Sequence, residues 1–597
     1  MTQHTLPRSR KVVLLIITFL VSFCSFAYEF VYSEELTVMY GSTVTQYVIT
    51  IGLFFFALGL GSTLVDNLAT DNWENFTRLE LYLATVSTTG FVGIILLNSI
   101  QLPPWFPRTA EIYLARLPPV LVGFLSGFEL PYLTKMVNIE ADDTGSDLPM
   151  TVRRLGAALH TTIHRILSVF FHTSTPEGSR SGFSLTLSAD YFGGLVGALI
   201  YAKYLYPTFG LIPTVFILAF LNVLAALLFV ARFSGTSWGV FSGDAPTGGV
   251  ISHDHTAVVL ALLVLTAGYG GVLMQHDTVE RDLTAMYLEQ TYEEEYTPTR
   301  GSPPTMDVEV TNQFTTNYQH VVKYTRTWEG TGPNPYFNGT TETCLRLDTA
   351  VQMCDSWADS YHNGLVDVPM AMYENSTQTN VLLIGGGDHV ALNHLREYNV
   401  SVDRVDLDGE FMRWARNASF LQQWHENAYK YPNQTTTVGD GYTYVRNTDT
   451  TYDVILLDIP GAKDNSLLKM YSVEFYQALR DNLERDGVVV TWGYTPTGYT
   501  QHYHAYMNTV SAAGFEDQMQ YWAREDIDGD KETERVELFY MFSPHDRTGK
   551  YPTRAGGAYV HRHEDRYATL QWTDIPTFNG IDSNSIFDPN YDILINP

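Results

Sequence analysis

Apolar and polar positions divide this chain of 597 residues into two parts with different patterns. Up to about residue 275, apolar runs recur at roughly the 20-residue length that a helix needs to cross a bilayer. They predict an α-helical bundle over residues 1–275 that is embedded in the lipid bilayer. The seven predicted spans are 12–28, 44–62, 78–100, 110–134, 183–205, 211–232 and 256–275.

Basic residues predict how this bundle is oriented, because Lys and Arg are enriched in cytoplasmic loops. One group precedes the first span and another follows the fourth, so both positions and the N-terminus are expected on the cytoplasmic side. Seven spans would then place the rest of the chain outside the cell, whereas six or eight would place it inside. The basic residues are Arg8, Arg10, Lys11, Lys135, Arg153, Arg154 and Arg165.

In the second part of the chain, the apolar segments are shorter and alternate with polar ones. Residues 276–312 are acidic and then rich in Pro, Ser and Gly, which predicts a linker. Residues 313–375 alternate as strands do and predict a small β-hairpin domain. In 376–545, continuous apolar strands alternate with helical segments, which predicts an α/β Rossmann-like domain with a parallel sheet. Residues 546–597 are predicted to be a C-terminal tail.

Acidic residues stand at the ends of the predicted parallel strands, where ligands bind in such sheets. Because the sequence "GGGDHVA" lacks the G-x-G-x-x-G spacing, it does not predict a dinucleotide site. A carboxylate after the glycines would repel phosphate and attract a cation, which favours a nucleoside carrying positive charge, such as a sulfonium. The alternative is that each acid only caps a helix or turn. The strand-end residues are Gly385, Gly386, Gly387, Asp388, Asp406, Asp408, Asp440 and Asp458.

Composition narrows the partners and the compartment. With 65 acidic and 36 basic residues the net charge is −29, which argues against nucleic-acid binding. The acidity indicates either an amine-binding surface or, as we favour, a halophilic protein whose self-repulsion is screened by salt. The 3 cysteines are too few for a thiolate metal site, and no metal is expected. Cys344 and Cys354 flank a predicted hairpin and are either a disulfide or two free thiols.

Several motifs together resemble the spermidine synthase (polyamine aminopropyltransferase) family, in its membrane-fused multi-span branch. They are "YQHVV", "VLLIGGGD", "VDLD", "VGDGYTYV" and "YDVILLDIPGAKDNSLLKMYSVEFYQALRDNL", within about 313–515. The resemblance implies a nucleoside-binding fold of the methyltransferase type and transfer of an aminopropyl group from decarboxylated S-adenosylmethionine to an amine. It also implies release of 5′-methylthioadenosine, no tightly bound cofactor, and association into homo-oligomers.

The resemblance also implies roles for individual residues. Gln319 and Asp406 would hold the ribose side of the donor, and Asp440 would accept from the adenine amino group. Asp388 would bind the ammonium of the aminopropyl arm, and Asp458 would help to deprotonate the attacking amine. The other residues expected around the donor are Tyr361, His362, Gly385, Gly387 and Gly441.

Three positions depart from the family pattern. Gly461 stands where a second Asp is usual, with Asp464 three residues on, and Asn363 follows His362 where Glu is common. The acceptor pocket is therefore expected to be altered, and His389 also replaces a small residue. Two alternatives stay open. One is an S-adenosylmethionine-dependent methyltransferase; the other is a non-catalytic polyamine transporter or sensor, motivated by the intramembrane acids Glu129 and Asp190.

Overall fold

The computed structural model describes most of the chain with several gaps. The described residues are 8–40, 43–65, 73–99, 108–138, 182–233, 253–295, 305–329, 339, 341–348, 350–371, 378–462, 465–525, 535–547 and 571–594.

Long helices occupy the described N-terminal residues. In that part of the chain, six helices are long and apolar enough to cross a membrane, and they account for six of the seven predicted spans. The helices are α1 Arg8–Tyr40, α2 Thr43–Leu64, α3 Trp73–Asn98, α4 Arg108–Ala115, α5 Leu117–Asn138, α6 Gly182–Ile200, α7 Leu211–Phe233, α8 His253–Met274 and α9 His276–Glu295. The six candidate spans lie on α1, α2, α3, α6, α7 and α8.

The predicted fourth span, 110–134, differs from the structure. It is divided between α4 and α5, which meet at Arg116. Pro118 and Pro119 lie in the first turn of α5, where the absence of their N–H groups costs no helical hydrogen bond. In the interior of one continuous helix, the same two prolines would break the hydrogen-bond pattern. Polar residues such as Glu129 and Lys135 further lower its apolar character. Nevertheless, α5 packs against α1, α2, α3 and α6 as part of the bundle.

Glycines allow the closest helix contacts in the bundle. A Cβ at Gly61 of α2 would lie 2.0 Å from the Phe124 carbonyl oxygen of α5. A Cβ at Gly193 or Gly197 of α6 would lie 2.4 Å from a carbonyl oxygen of α1. Small residues at such positions let helix backbones approach closely in a membrane. The glycines after Asp190 therefore serve the close packing that their sequence suggested.

Residues 276–312, predicted to be a linker, contain α9 and the start of a strand. The segment is acidic in composition, but it is also amphipathic, since Leu283, Tyr287 and Leu288 share one face of α9. Leu288 is 1 % exposed and packs in the core of the following sheet. The segment is therefore an ordered connection over its described part, because this face is buried against the bundle and the sheet.

The first sheet has four antiparallel strands in the order β1-β2-β3-β4. They are β1 Thr305–Thr315, β2 His320–Glu329, β3 Thr341–Leu347 and β4 Ala350–Cys354. Cys344 and Cys354 are direct partners across β3 and β4 and form a disulfide. Of the two alternatives for these cysteines, the structure therefore has the bridge.

The second sheet has eight strands in the order β12-β10-β11-β9-β8-β5-β6-β7. The strands from β9 to β7 in this order are parallel, as predicted, and the other three are antiparallel. They are β5 Asn380–Gly385, β6 Ser401–Asp406, β7 Gln434–Val438, β8 Tyr452–Asp458, β9 Leu483–Trp492, β10 Asp517–Glu525, β11 Arg535–Ser543 and β12 Trp572–Asp574. The edge strand β12 falls in the predicted tail, where buried Trp572 packs on the sheet core.

Helices cover both faces of this sheet, and their apolar residues join two separate cores. They are α10 Ala358–His362, α11 Val390–Glu397, α12 Gly409–Ala415, α13 Ser419–His425, α14 Gly441–Asn447, α15 Val473–Asp481 and α16 Thr500–Ala512. Since β5 neighbours both β6 and β8, the strand order reverses between β5 and β8. Ligands of open α/β sheets bind beyond the strand ends at such a point.

Candidate active site

The glycine-rich turn after β5 lies directly against the end of β8. Gly385 is the register partner of Asp458 and has φ +93°, and a Cβ there would lie 1.9 Å from the Asp458 carbonyl oxygen. Any other residue would therefore clash as well as be strained. Glycine at this position is what lets the turn and the catalytic candidate Asp458 share one small space.

Three ionisable side chains converge at this point. His362, Asp388 and Asp458 each offer one ligand atom, and these atoms all lie within 4.8 Å of one another. Asp388 is anchored by accepting a 2.9 Å hydrogen bond from the Val390 amide through Oδ1. One imidazole and two carboxylates could hold either a metal ion or an ammonium group, and the surplus of negative charge favours a cation in both cases.

Helix α10 supplies two of the predicted residues to the same place. Tyr361 donates a 3.2 Å hydrogen bond from its hydroxyl to Oδ1 of Asp458. Nδ1 of His362 lies 2.7 Å from the Ala358 carbonyl oxygen, so this nitrogen carries the proton. Nε2 of His362 then faces Oδ2 of Asp458 at 4.0 Å, as an acceptor in the neutral ring.

Burial sets the protonation of this pair. It raises the pKa of Asp458 well above its ordinary value, the charges of Asp388 and Asp406 raise it further, and the Tyr361 hydrogen bond lowers it. Burial also lowers the pKa of His362. A carboxyl with a raised pKa beside a second carboxylate is suited to accepting a proton near neutral pH.

The acids after β6 have divided tasks. Oδ1 of Asp408 caps α12 by accepting from the amides of Glu410 and Phe411, and Oδ2 accepts a 3.0 Å hydrogen bond from Nε2 of Gln319. Asp406 accepts from the Asp408 amide at 2.8 Å. Gln319 is thus held by Asp408, which ends the same motif as Asp406 but is not among the residues predicted to bind the donor.

Asp406 itself remains directed at the glycine turn. A Cβ on Gly387 would lie 2.9 Å from its Oδ2, so glycine is needed there for close approach. Burial raises the pKa of Asp406 to about 6, with the charges of Asp408 and Asp388 acting in the same direction. Asp406 thus lies at the end of β6 and beside the turn, at the sheet edge where open α/β sheets bind ligands.

Asp440 caps α14 and carries a basic partner. Its Oδ2 accepts from the amide and hydroxyl of Thr443, and its Oδ1 accepts a 2.9 Å hydrogen bond from Nζ of Lys469. Burial alone would raise the pKa of Asp440, but the hydrogen bonds from Lys469 and Thr443 outweigh it and lower the pKa. Gly441 follows, where a Cβ would lie 2.6 Å from Cγ2 of Ile384. Sequence spacing gave no signal for Lys469.

His389 supports the glycine turn from below. It has φ +71° and is fully buried, with Nδ1 against Nη1 of Arg404 and Nε2 3.1 Å from the Met412 carbonyl oxygen. The same Nη1 of Arg404 donates to the Gly386 carbonyl oxygen at 3.3 Å. Burial and the charge of Arg404 lower the pKa of His389 to about 3, so the ring is neutral. His389, which replaces a small residue of the family pattern, therefore stabilises the glycine turn through Arg404.

Aromatic residues cover the side of the site where the sequence departs from the family. A Cβ on Gly461 would lie 3.0 Å from the Tyr494 hydroxyl and 3.2 Å from Cη2 of Trp492. Nε1 of Trp492 donates to the Ile459 carbonyl oxygen at 2.9 Å, which fixes the ring. Asn363 is turned to Asp359 through a 3.1 Å hydrogen bond, and Asp464 lies outside the described residues.

Comparison with known proteins identifies one matching family and several similar proteins. Residues 358–524 match the family described as "Spermine/spermidine synthase domain". A polyamine aminopropyltransferase of Oceanobacillus iheyensis is 25 % identical over 83 % of this chain and 80 % of its own. Polyamine aminopropyltransferase 1 of Streptomyces coelicolor is 27 % identical over 86 % of this chain and 81 % of its own.

These alignments are longer than the part of the chain after residue 275, so they extend into the apolar helices. A crystal structure of spermidine synthase from Thermotoga maritima aligns with 48 % of this chain and 85 % of its own, at 20 % identity and a TM-score of 0.32. Residues 358–524 are therefore similar to a spermine/spermidine synthase domain, and most of the chain is similar to polyamine aminopropyltransferases.

Proposed function

We propose that this protein transfers an aminopropyl group from decarboxylated S-adenosylmethionine to an amine. The observation that carries the proposal is the convergence of Asp388 and Asp458 at the switch point between β5 and β8, within reach of Tyr361. The names of its relatives, polyamine aminopropyltransferases, support the same reaction. The nucleoside sulfonium is a co-substrate in this proposal.

The donor is held along the ends of three strands, β5, β6 and β7. Asp440, after β7, receives the adenine amino group, and Asp406, after β6, receives the ribose hydroxyls with Gln319 beside it. Asp388 binds the ammonium of the aminopropyl arm, because an anchored, half-buried carboxylate attracts that charge strongly. Gly385, Gly387 and Gly441 allow the nucleoside to approach the backbone closely. The roles of these residues rest on their positions in the fold.

The chemical step is a displacement at carbon. The nitrogen of a neutral amine forms a bond to the propyl carbon next to the sulfonium, the carbon–sulfur bond breaks, and its electron pair remains on sulfur. Asp458 takes the proton from the attacking nitrogen, with Tyr361 holding the carboxylate in place. His362, as a neutral ring, accepts from or orients the incoming amine. Alignment of nitrogen, carbon and sulfur supplies much of the acceleration.

The acceptor is held by an aromatic wall, made of Trp492 and Tyr494 beside Gly461. Aromatic faces attract ammonium groups and alkyl chains, which compensates in part for the acid that Gly461 replaces. We therefore propose an acceptor that offers a longer or more apolar chain than 1,4-diaminobutane. A panel of amines of increasing length tests this preference.

The rival reaction is methyl transfer from S-adenosylmethionine, whose carboxylate would stand near Asp388 and be repelled. Incubating the protein with each donor and an amine panel distinguishes the two. Aminopropyl transfer yields 5′-methylthioadenosine, whereas methyl transfer yields S-adenosylhomocysteine. If both donors bind without turnover, the site is a sensor built on the same fold.

We also propose an integral membrane protein with a cytoplasmic N-terminus, on the basis of the six apolar helices and the basic residues beside them. Six crossings would put the catalytic half inside, with access to a cytoplasmic donor, and a seventh crossing by α5 would put it outside. Labelling of a single surface cysteine by an impermeant reagent in intact cells decides between the two.

The acidic surplus supports a protein adapted to high salt. The net charge of −29 spreads self-repulsion over the molecule, and screening ions relieve it. Melting temperatures that rise steeply with KCl would agree with this proposal, and melting temperatures that are indifferent to KCl would reject it.

A further inference from the structure

A cavity of about 100 Å³ lies at the junction of the helical bundle and the four-stranded sheet. Its walls come from α1, α3, α7, α9 and the strands β2 and β3. The volume exceeds the roughly 10–15 Å³ that a cavity needs on the same measure to hold one water molecule. None of the residues proposed for aminopropyl transfer lines it. The cavity is therefore separate from the site between β5 and β8.

One carboxylate in this cavity has no hydrogen-bond partner among the described residues. Glu35 of α1 is 1 % exposed, and neither of its carboxylate oxygens accepts a hydrogen bond from any described residue. A buried carboxylate is normally satisfied by a cation or by donors, since its desolvation is costly. Glu35 lines the cavity, so a ligand there could supply the missing donors.

The other charged residues of the cavity leave a negative surplus. Glu280 and Asp348 are acidic, and Arg346 is the permanent cation of the lining. Arg346 is already engaged, because its Nε donates to the Asp348 carbonyl oxygen at 2.8 Å and its guanidinium lies over the Tyr287 ring. Burial and the charge of Arg346 lower the pKa of His320 to about 4, so this ring is neutral.

The remaining lining is apolar and aromatic, with Phe91, Tyr206 and Tyr287 among its members. Hard inorganic cations such as Ca²⁺ take six to eight oxygen ligands around one point, whereas most of this lining is apolar or aromatic. An alkyl chain with ammonium ends suits it better, since the chain meets apolar walls and each ammonium meets a carboxylate or a ring face.

We propose that this junction cavity binds a short aliphatic diamine, with Glu35 as the principal partner of one ammonium group. The site is additional to the acceptor pocket of the transferase. It lies one residue from that machinery in the chain, because His320 in the cavity wall follows Gln319, whose amide is held by Asp408.

The test is equilibrium dialysis of radiolabelled 1,4-diaminobutane against the full-length protein in lipid nanodiscs. Glu35→Gln keeps the shape of the side chain and removes its charge, and Leu283→Trp fills the cavity while leaving Glu35 in place. Glu29→Gln is the matched control, because Glu29 is also buried on α1 but does not line the cavity. Binding in the acceptor pocket is common to all of these proteins.

We expect one class of diamine sites to weaken by about tenfold or more in Glu35→Gln and in Leu283→Trp, and to be unchanged in Glu29→Gln. KCl added to the same total concentration of positive charge as the diamine should not displace the diamine from this class of sites. The same isotherm for Glu35→Gln, Leu283→Trp and the wild-type protein would overturn the proposal. Equal weakening by Glu29→Gln, or equal displacement by K⁺, would overturn it as well.

Discussion

The hydroxyl of Tyr361 donates a 3.2 Å hydrogen bond to Oδ1 of Asp458, whereas Oδ2 of the same carboxylate has no hydrogen-bond partner among the described residues. One oxygen is therefore fixed and the other is available. Because Oδ2 is buried and lies near Asp388 and His362, a proton arriving from an ammonium group would be accepted there. The Tyr361 hydrogen bond thus orients Asp458 as the base of the proposed reaction.

Tyr361→Phe should shift the pH dependence of the reaction. The hydrogen bond from Tyr361 lowers the pKa of Asp458, which burial raises, so its loss raises that pKa further. Since the carboxylate form is the base, the acidic limb of the kcat/KM profile should move to higher pH, and kcat/KM at neutral pH should fall by roughly tenfold. Steady-state kinetics across pH measure both.

Tyr521→Phe is the matched control for that variant. Tyr521 is also a buried tyrosine, and its hydroxyl donates to the Gly364 carbonyl oxygen at 2.7 Å rather than to Asp458. Its profile should keep the wild-type limb. An unshifted limb in Tyr361→Phe would show that the hydrogen bond does not tune the base.

Asp388→Asn should weaken donor binding selectively. The substitution keeps the hydrogen bond to the Val390 amide but removes the charge facing the ammonium. We expect the KM for decarboxylated S-adenosylmethionine to rise by roughly 10- to 100-fold, in line with a lost charge-assisted hydrogen bond. Affinity for 5′-methylthioadenosine, which has no ammonium, should change little.

Asp453→Asn controls for a general loss of negative charge beside β5, because Oδ2 of Asp453 accepts a 2.8 Å hydrogen bond from the Asn380 amide at the opposite end of that strand. If Asp388→Asn weakened methylthioadenosine and the donor equally, Asp388 would be supporting the turn and not reading the ammonium.

Trp492→Leu should act on the acceptor side. The ring is fixed by its bond to the Ile459 carbonyl oxygen and lies beside Gly461, so its loss removes a face for the amine. The KM for the amine should rise by roughly tenfold, which matches a cation–π contribution of about 1–2 kcal/mol. Kinetics with either substrate varied separate this effect from donor binding. An increase only in the donor KM would refute the assignment, and Trp572→Leu in β12 controls for lost core packing.

His389→Gln should change how stability depends on pH. The pKa of His389 is about 3 in the folded protein, below about 6.5 for an unfolded histidine, so the unfolded state binds more protons between these values. The stabilisation is complete above about pH 6.5 and is lost as pH falls towards 3, by on the order of a few kcal/mol.

Thermal unfolding midpoints of the two proteins from pH 4 to pH 8 measure this difference. The wild-type midpoint should fall more steeply than that of His389→Gln as the pH is lowered. Parallel curves would mean that His389 is protonated in the folded state or that other groups dominate.

The sequence was sufficient for the strand ends and for the residues that meet there. Continuous apolar strands alternating with helices required a parallel sheet, and the carboxyl ends of its strands had to bring Asp388 and Asp458 together. Apolar runs of bilayer length likewise marked six of the long helices directly.

Other features depend on contacts that no local pattern encodes. The salt bridge between Lys469 and Asp440 joins residues 29 positions apart, and the hydrogen bond from Gln319 to Asp408 joins residues 89 apart. The acidic composition of α9 predicted a linker, although one face of this helix is buried. Pro118 divides into two helices an apolar run that had the length of one span. The role of His389 as a brace also required the position of Arg404 beneath the turn.

Product formation by the wild-type protein is the decisive test of aminopropyl transfer. The protein in nanodiscs is incubated with decarboxylated S-adenosylmethionine and a panel of amines, and 5′-methylthioadenosine is followed by mass spectrometry. We predict release that requires an amine and falls by about 100-fold or more in Asp458→Asn, the usual range for losing a general base. Amine-independent release, or equal release by Asp458→Asn, would contradict the account.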